Sequence, residues 1–262
     1  MKILSNELAQ HYQISSLQKG YCPFSSFIAK NGKILFLDSH LERLLLGAHF
    51  LFPSSGWLTY HGKIKKYVEN ELEKISLKKQ GEHYFRLTIF DDSLYFQNYE
   101  LMPSSFIVKM TTALKIKTPS LLPSFVKLSN YVESDLELIN AKNKNFDEVI
   151  FFDYLQNVAE ASTSNVFIVS DDGHILTPPP SSMILDGITR KKLILSLKEN
   201  NFVVREVVIS KIELQKAREI WLTNSVKGVR FVASFEEISF KKEASVFEEV
   251  ITFFGRFGEL YR

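Results

Sequence analysis

The segment Phe125-Val-Lys-Leu-Ser-Asn-Tyr131 places a lysine in a short apolar run that follows two prolines. Lys127 is flanked by Val126 and Leu128 rather than by charged residues, and Glu160 follows 33 positions later. A lysine reacts with an aldehyde only as the free amine, so a catalytic lysine needs surroundings that ease loss of its proton. Taken alone, a lysine near a predicted helix start is usually a solvated surface residue. The segment therefore makes Lys127 a candidate reactive lysine whose role depends on the rest of the chain.

The composition is that of a globular protein. The chain has 262 residues, of which 45% are hydrophobic and 24% are charged. Its formal net charge of +2 provides no broad basic field for nucleic acid or anionic lipid. The single cysteine, Cys22, excludes an internal disulfide framework, and the histidines lack the spacing of a metal site. With no signal peptide and no apolar run near the roughly 20 residues that span a bilayer, a cytoplasmic location without nucleic-acid, membrane or metal partners is expected.

A proline-containing stretch divides the chain. Two prolines in Thr118-Pro-Ser-Leu-Leu-Pro123 interrupt all periodic patterns and predict a linker at residues 117–124. Residues 1–116 are then expected to form a small α+β domain, and residues 125–262 a larger one. Because clefts between domains commonly bind small ligands, we expect the functional site in the inter-domain cleft.

Hydrophobic periodicity predicts the elements of both domains. Asn31-Gly32 tolerates positive φ at both turn positions and predicts a hairpin over residues 24–37. Asp38 or Ser39 can cap the helix that follows it. The remaining predicted helices cover residues 57–77, 126–142, 189–200 and 244–254. The remaining predicted strands cover residues 84–90, 93–99, 106–110, 148–153, 166–170, 202–208 and 219–223, and a further short strand is predicted just before Pro178-Pro-Pro180.

Eight short motifs follow one another along the chain. They are His40-Leu-Glu-Arg43-Leu, Tyr84-Phe-Arg86, Lys127-Leu-Ser-Asn130, Asp147-Glu-Val-Ile-Phe-Phe-Asp153, Glu160-Ala-Ser-Thr-Ser-Asn165-Val-Phe, Leu176-Thr-Pro-Pro179, Ile184-Leu-Asp-Gly-Ile-Thr-Arg190 and Leu222-Thr-Asn-Ser225. In order and spacing they resemble the class IV aminotransferase family, pyridoxal-phosphate enzymes of fold type IV. This family includes branched-chain and D-amino-acid aminotransferases and aminodeoxychorismate lyase. The resemblance, which runs from about Phe24 to Val232, implies a two-domain α+β fold like that of D-amino-acid aminotransferase, with pyridoxal 5′-phosphate in the inter-domain cleft.

The resemblance implies the cofactor contacts. Lys127 is the residue that would bind the cofactor as a Schiff base and act as general base, and Glu160 would keep the ring nitrogen protonated. The implied phosphate contacts are Arg43, Gly187, Ile188, Thr189 and Ser225. Gly187 precedes a predicted helix, whose free N–H groups and dipole favour an anion. His40, in the motif of Arg43, is expected to be a buried, hydrogen-bonded residue rather than a catalyst.

The resemblance also implies the substrate side of the site, formed by Ser26, Arg86, Tyr131, Val226 and Lys227. Arg86 matches an arginine that binds the substrate carboxylate in branched-chain enzymes, with a structural ion pair as the alternative. Tyr131 follows Asn130 as in those enzymes, but the spacing of three between lysine and asparagine leaves its contact open. Val226 and Lys227 lie where family members bind a carboxylate through backbone N–H groups.

Three features favour the lyase branch: the chain length, the spacing of Lys127 and Asn130, and Phe24-Ser25-Ser26, where that branch often has Phe-Thr-Thr and transaminases usually have glutamate at the second position. Residues 164–167 and 182–190 instead resemble the D-amino-acid branch. We therefore expect a 4-amino-4-deoxychorismate lyase that releases pyruvate and 4-aminobenzoate in folate biosynthesis. A D-amino-acid or branched-chain-type aminotransferase is the alternative, and a cofactor-binding protein with little turnover is a third.

The assembly and the substrate follow from the resemblance alone. A homodimer acting on a small-molecule amino substrate is implied. Lys19-Gly-Tyr-Cys-Pro23 stands where family members have an aromatic, glycine-rich segment of the type Tyr-Gly-Asp-Gly. The substrate side of the site is therefore the part that transfers least well from the family.

Overall fold

Two compact units make up the chain. The computed structural model describes residues 1–4, 16, 19–30, 33–76, 82–101, 104–242 and 245–255. Unit 1 comprises Met1–Pro103 and Phe125–Tyr131, and unit 2 comprises Ser104–Ser124 and Val132–Arg262. Each unit has its own sheet and its own hydrophobic core. The predicted α+β class is confirmed.

The units differ from the predicted domains of residues 1–116 and 125–262. Residues 104–116 lie in unit 2 because the strand Ile107–Thr112 pairs within the sheet of that unit. Residues 125–131 lie in unit 1 because their backbone bonds to residues of that unit. The chain passes between the units three times. A single boundary at the prolines therefore cannot separate them.

A five-stranded sheet forms the centre of unit 1. Its strands are β1 (Lys2–Leu4), β2 (Phe24–Lys30), β3 (Lys33–Ile34), β4 (His83–Phe90) and β5 (Ser93–Glu100). They lie in the order β1-β5-β4-β2-β3, with β1 parallel to β5 and the other neighbours antiparallel. β2 and β3 form the predicted hairpin, whose turn, Asn31-Gly32, lies outside the described residues.

Two helices cover one face of this sheet. Helix α1 (Leu37–Leu51) and helix α2 (His61–Ser76) are joined by the 3₁₀ turns Pro53–Ser55 and Trp57–Tyr60. Their apolar residues pack with inward-facing strand residues into one core; its largest members include Phe27, Leu41, Leu44, Trp57, Ile64, Val68, Phe85 and Leu87. Side chains alternate along a strand. The residues of β2 and β4 that lie between these core positions therefore point to the other face of the sheet.

The sheet of unit 2 has nine strands. They are β6 (Ile107–Thr112), β7 (Glu148–Phe152), β8 (Val158–Ala161), β9 (Asn165–Val169), β10 (Ile175–Thr177), β11 (Val204–Glu206), β12 (Glu219–Asn224), β13 (Gly228–Phe235) and β14 (Ile238–Ser239). The order is β11-β10-β9-β12-β13-β6-β7-β8, with β14 paired to β13. The pairs β10–β11, β13–β6 and β6–β7 are parallel, and the rest are antiparallel.

Both faces of this sheet are buried. On β9, Val166 and Ile168 belong to one core, whereas Phe167 and Val169 belong to another. The helices of the unit are α3 (Val132–Lys142), α4 (Ile188–Glu199), α5 (Lys211–Lys216) and α6 (Val246–Phe254). Helix α5 packs into the first core, and α4 and α6 into the second. A strand buried on both faces reads as a continuous apolar run, as β7 and β9 do.

Several elements differ from prediction. The helix predicted over residues 126–142 begins only at Val132, because residues 127–129 form backbone bonds with the chain before β2. Strands β1, β8, β13 and β14 and helix α5 were not predicted. Within the described ranges, no helix is long and apolar enough to cross a membrane.

Candidate active site

The backbone of Lys127 is fixed against the start of β2. The Phe24 N–H donates to the Lys127 carbonyl at 2.9 Å, and the Ser129 N–H donates to the Cys22 carbonyl at 3.0 Å. Pro23 and Leu128 form the bridge between these two bonds. This short ladder holds the lysine segment in an extended conformation beside the sheet.

The Lys127 side chain lies among aromatic groups of unit 1. Its ammonium donates to the Tyr131 hydroxyl at 2.5 Å. The same nitrogen is 4.9 Å from the ring centroid of Phe24 and 5.0 Å from that of Tyr131, within the range of cation–π contacts. The two rings meet edge to face, with centroids 5.8 Å apart. The structure thus brings Tyr131, whose contact the sequence left open, against the predicted reactive lysine.

Predicted substrate residues share one face of the unit 1 sheet. The register pairs Ser26 with Arg86, so both point away from the helix-covered face. The Ser26 and Tyr84 hydroxyls are 3.1 Å apart, and the Arg86 guanidinium lies over the Phe24 ring at 3.8 Å. The Arg86 Nε makes a long 3.4 Å bond to the Thr88 hydroxyl. Within the described part of the chain Arg86 makes no ion pair, so the alternative structural role has no partner there.

Arg43 contacts β2 from the face of the sheet that α1 covers. It lies on α1 one turn after His40, and its guanidinium donates to the Ser25 hydroxyl at 3.4 Å. His40 is buried and bonds through Nδ1 to the same hydroxyl at 2.8 Å, which confirms the prediction of a buried, hydrogen-bonded histidine. Burial lowers the pKa of His40 well below its ordinary value, and the charges of Arg43 and Lys127 lower it further.

Glu160, at the end of β8 in unit 2, has both carboxylate oxygens engaged. The Lys117 ammonium donates to Oε1 at 3.1 Å, and the Leu185 N–H donates to Oε2 at 3.0 Å. The Lys117 backbone N–H bonds to the Phe152 carbonyl at 2.8 Å, and its ammonium lies 5.1 Å from the Phe151 ring centroid. The sequence places Lys117 in the predicted linker. Its ion pair with Glu160 becomes visible only in the structure, where Lys117 lies beside β7.

Asn165 packs closely against Gly187 just before the start of α4. The Asn165 amide donates to the Leu185 carbonyl at 2.7 Å. A Cβ built on Gly187 would lie only 2.0 Å from the Asn165 Oδ1, so glycine is required by this close approach. The Gly187 φ of −70° is open to any residue, and the requirement is therefore one of space rather than of backbone conformation.

The N-terminus of α4 and the end of β12 present hydroxyls to each other. Gly187 is the N-cap of α4 and, as a glycine, has no side chain to cap this end. The Thr189 and Ser225 hydroxyls are 3.0 Å apart, and both residues belong to the predicted phosphate set. Free N–H groups at a helix start together with hydroxyl donors suit an anion. Unit 2 therefore brings Gly187, Ile188, Thr189 and Ser225 into one group of donors.

The N–H groups of Val226 and Lys227 are engaged within the chain. Both donate to the Asn224 Oδ1, at 2.8 and 3.1 Å. This cap was not predicted, and it occupies the donors that the resemblance assigns to a substrate carboxylate. Burial lowers the pKa of the Lys227 ammonium, and the charge of Arg230 lowers it further.

A buried ion pair supports the turn after Glu160. The Arg230 guanidinium donates to the Glu148 carboxylate at 2.9 Å and to the Ser164 hydroxyl at 3.2 Å, and Glu148 also accepts from Ser162. Glu148 is fully buried, and Arg230 is 3% exposed. The Asn224 amide completes the support by donating to the carbonyl of residue 163 at 2.5 Å. Nothing in the local sequence pattern of β7 or β13 indicated this pair.

The comparisons with known proteins identify the family. The profile of the family described as Amino-transferase class IV matches residues 24–235. The chain belongs to the class IV aminotransferase family. It is 29% identical over 221 residues to "Probable branched-chain-amino-acid aminotransferase" of Aquifex aeolicus (strain VF5), covering 78% of this chain and 70% of that protein. Matches to further branched-chain aminotransferases span less than half of those proteins.

Solved structures of the family have the same fold. "Putative 4-amino-4-deoxychorismate lyase" of Legionella pneumophila has a TM-score of 0.80 at 22% identity, covering 96% of this chain and 97% of that one. The branched-chain amino acid aminotransferase of Escherichia coli has a TM-score of 0.79 at 22% identity, covering 95% and 89%. At this identity the likeness shows the fold alone, which is fold type IV.

Class IV aminotransferases use pyridoxal 5′-phosphate, and this chain is a pyridoxal-phosphate-dependent enzyme. Each unit holds groups of the kinds that such a cofactor needs. Unit 1 has an amine at Lys127, and unit 2 has a carboxylate at Glu160 and the donors at the start of α4. Among the described residues no group of three or more His, Cys, Asp or Glu side chains could hold a metal ion.

Proposed function

We propose that this family member is a 4-amino-4-deoxychorismate lyase, which releases pyruvate and 4-aminobenzoate. The observation that carries the proposal is the polar face of the unit 1 sheet, where the Ser26 and Tyr84 hydroxyls lie beside Arg86 and the Phe24 ring. The substrate has two carboxylates and a six-membered ring. A guanidinium, two hydroxyls and an aromatic surface complement those groups, whereas a branched aliphatic side chain gains little from them.

The proposed cofactor contacts follow the donor sets of the two units. Lys127 binds the aldehyde end, Glu160 accepts from the protonated ring nitrogen, and Tyr131 stays hydrogen-bonded to the lysine. The phosphate is held by Arg43, Gly187, Ile188, Thr189 and Ser225. When bound, pyridoxal phosphate accepts electron density from the substrate carbon that loses its proton.

Lys127 moves that proton. As the free amine it takes the proton from the ring carbon that bears the substrate amino group. The bond between the ring and the enolpyruvyl oxygen then breaks, and its departure makes the ring aromatic. The departing enolpyruvate gains a proton and leaves as pyruvate. The substrate contains the same atoms as pyruvate and 4-aminobenzoate together, so the overall reaction needs no oxidant, no keto acid and no water.

Arg86 is proposed as the main carboxylate contact. Val226 and Lys227 remain proposed contacts, but their N–H groups already donate to Asn224, so they would share these donors with the substrate. Among the described residues the Arg86 guanidinium contacts a ring face and makes one long bond, and it can form paired bonds with a carboxylate.

An aminotransferase is the second candidate, and the identity to branched-chain relatives over 78% of the chain favours it. In that reaction Lys127 would return the proton to the cofactor, and a keto acid would leave before an amino acceptor enters. The two candidates share every contact of Lys127 and Glu160. They differ in whether turnover requires an acceptor.

The deciding experiment incubates the holoenzyme with 4-amino-4-deoxychorismate in the absence of any keto acid. The lyase produces pyruvate and 4-aminobenzoate in equal amounts, measured by coupled lactate dehydrogenase and by fluorescence. A parallel reaction with leucine or D-alanine and 2-oxoglutarate reports transamination. Product that forms only in the parallel reaction overturns the lyase and supports the aminotransferase. A protein that binds the cofactor yet turns over neither mixture would be the third expectation, a binding protein.

The proposal includes a homodimer in the cytoplasm. The dimer rests on resemblance to the family, and the location rests on composition and cysteine use. Light scattering on the holoenzyme tests the first: a mass of two chains is expected, and a mass of one chain contradicts it.

A further inference from the structure

A polar group lies buried between β2 and α1, beside the apolar core of unit 1. The Ser25 side chain is fully buried, and His40 is 1% exposed. The Ser25 hydroxyl contacts the His40 Nδ1 at 2.8 Å and the Arg43 guanidinium at 3.4 Å. Polar groups in such a position are normally retained only where each has a partner.

The direction of these bonds follows from the chemistry of the three groups. A guanidinium can only donate, so the Ser25 oxygen accepts from Arg43. The single hydroxyl proton of Ser25 is then free for the His40 Nδ1, which accepts as the neutral imidazole. The lowered pKa of His40, caused first by burial, keeps the ring in this neutral form.

The hydrogen-bonded group of Ser25, His40 and Arg43, called the relay below, is held in place by packing. His40 and Arg43 are three residues apart on α1, so both project from one side of the helix. The His40 ring packs against Phe27, with centroids 5.2 Å apart, and its backbone N–H bonds to the Phe36 carbonyl at 3.0 Å. Arginine has many rotamers, and an acceptor at a fixed place near one nitrogen restricts them.

We propose that Ser25 and His40 are positioning residues that orient the Arg43 guanidinium for the cofactor phosphate. The inference rests on the proposed phosphate role of Arg43.

The test compares binding of pyridoxal phosphate with binding of pyridoxal, which lacks the phosphate. Ser25→Ala and His40→Phe remove the relay, whereas His40→Asn places an amide oxygen where Nδ1 lies. The matched control is Ser93→Ala, which deletes another buried serine hydroxyl of unit 1. Dissociation constants are measured by absorbance titration of apoenzyme, and each melting temperature is recorded.

The relay predicts a loss confined to the phosphorylated ligand. Ser25→Ala and His40→Phe are expected to raise the dissociation constant of pyridoxal phosphate about fivefold to tenfold and that of pyridoxal less than about twofold. His40→Asn and Ser93→Ala are expected to stay near the wild-type values. Equal losses for both ligands would mean that Ser25 and His40 only support the fold, and the proposal would be wrong.

Arg43→Ala separates this inference from the proposed function. If Arg43→Ala leaves the preference for the phosphorylated ligand unchanged, the assignment of Arg43 itself fails. If Arg43→Ala removes the preference but Ser25→Ala and His40→Phe do not, only the relay fails. In the Arg43→Ala background, Ser25→Ala should cause no further loss, because the two act on one interaction. Should Ser25→Ala fail to fold, the pair His40→Phe and His40→Asn makes the same comparison.

Discussion

The surroundings of Lys127 in unit 1 differ in kind from those of Glu160 in unit 2. The lysine nitrogen faces two aromatic rings and a phenol hydroxyl. The glutamate oxygens face an ammonium and a backbone N–H. A phenol can accept from an ammonium or donate to a free amine, whereas an ammonium and an N–H can only donate.

This difference matches the roles proposed for the two residues. In its proposed role Lys127 exists both with and without its proton, and its neighbours can bond to either form. Glu160 is proposed to remain an acceptor, and its neighbours suit that form alone. The support differs in the same way, because two backbone bonds hold the Lys127 segment while a buried ion pair of Glu148 and Arg230 holds the turn after Glu160.

The largest expected effect comes from removing the Lys127 amine, the group proposed to gain and lose a proton. Lys127→Ala should lower turnover at least about 1,000-fold, because the general base is lost with the covalent contact. Borohydride treatment of the wild-type holoenzyme should fix the cofactor on residue 127, as read by peptide mass spectrometry, and the variant should give no such peptide. Lys65→Ala removes an exposed lysine of the same unit that pairs with Asp38 and serves as control. Turnover within tenfold of wild type would remove Lys127 from the mechanism.

Replacing the Glu160 carboxylate, which is proposed to act only as an acceptor, should have the next largest effect. Glu160→Gln keeps the shape but replaces one acceptor oxygen by a donor, which faces Lys117 or the Leu185 N–H. Proton removal from the substrate is expected to slow about 100-fold, since charge at the ring nitrogen is stabilised less. Stopped-flow absorbance measures this rate, and titration measures cofactor affinity, which should change far less. Glu133→Gln, exposed on α3, is the control. Equal changes in rate and affinity would contradict the ring-nitrogen role.

The resemblance to the family's motifs allowed the candidate groups of both regions to be named, but not their partners. Lys127, Glu160, Gly187 and Thr189 were recognisable because each belongs to a motif of a few neighbouring residues. Lys117 was read as linker, since its relation to Glu160 depends on pairing between β6 and β7 rather than on local sequence. The same reason explains the missed cap of Asn224.

The fold shows the same limit. Periodicity located most helices and strands, because alternation and 3.6-residue spacing are local properties. It placed a helix start at residue 126, where the backbone instead bonds to residues 22–24 about a hundred positions earlier. Strand β13 was not predicted, although its residues pack on both sheet faces. Contacts of such long range are not visible in a local pattern.

A smaller effect is expected where unit 2 depends on close packing instead of charge. Gly187→Ala forces the Asn165 amide away from its place, since a Cβ would lie 2.0 Å from its oxygen. The start of α4 should shift, and affinity for pyridoxal phosphate should fall about tenfold, measured by titration. Gly62→Ala on α2 is the control, because a Cβ there meets no atom within 4 Å. An unchanged affinity would show that the start of α4 tolerates the displacement.

The smallest effect tests whether the ammonium beside Glu160 matters to the glutamate or only to packing. Lys117→Met keeps an unbranched side chain near the Phe151 ring and removes the charge, while the Leu185 N–H still bonds to Glu160. Proton removal should slow about threefold to tenfold, the range for losing one outer partner of a functional group. In the Glu160→Gln background the same change should have almost no effect, because Lys117 acts through the carboxylate. Additive losses would mean that Lys117 acts on its own. A loss as large as that of Glu160→Gln would show that the contrast between the two regions depends on this one ammonium, and that the backbone N–H alone cannot hold the carboxylate in place.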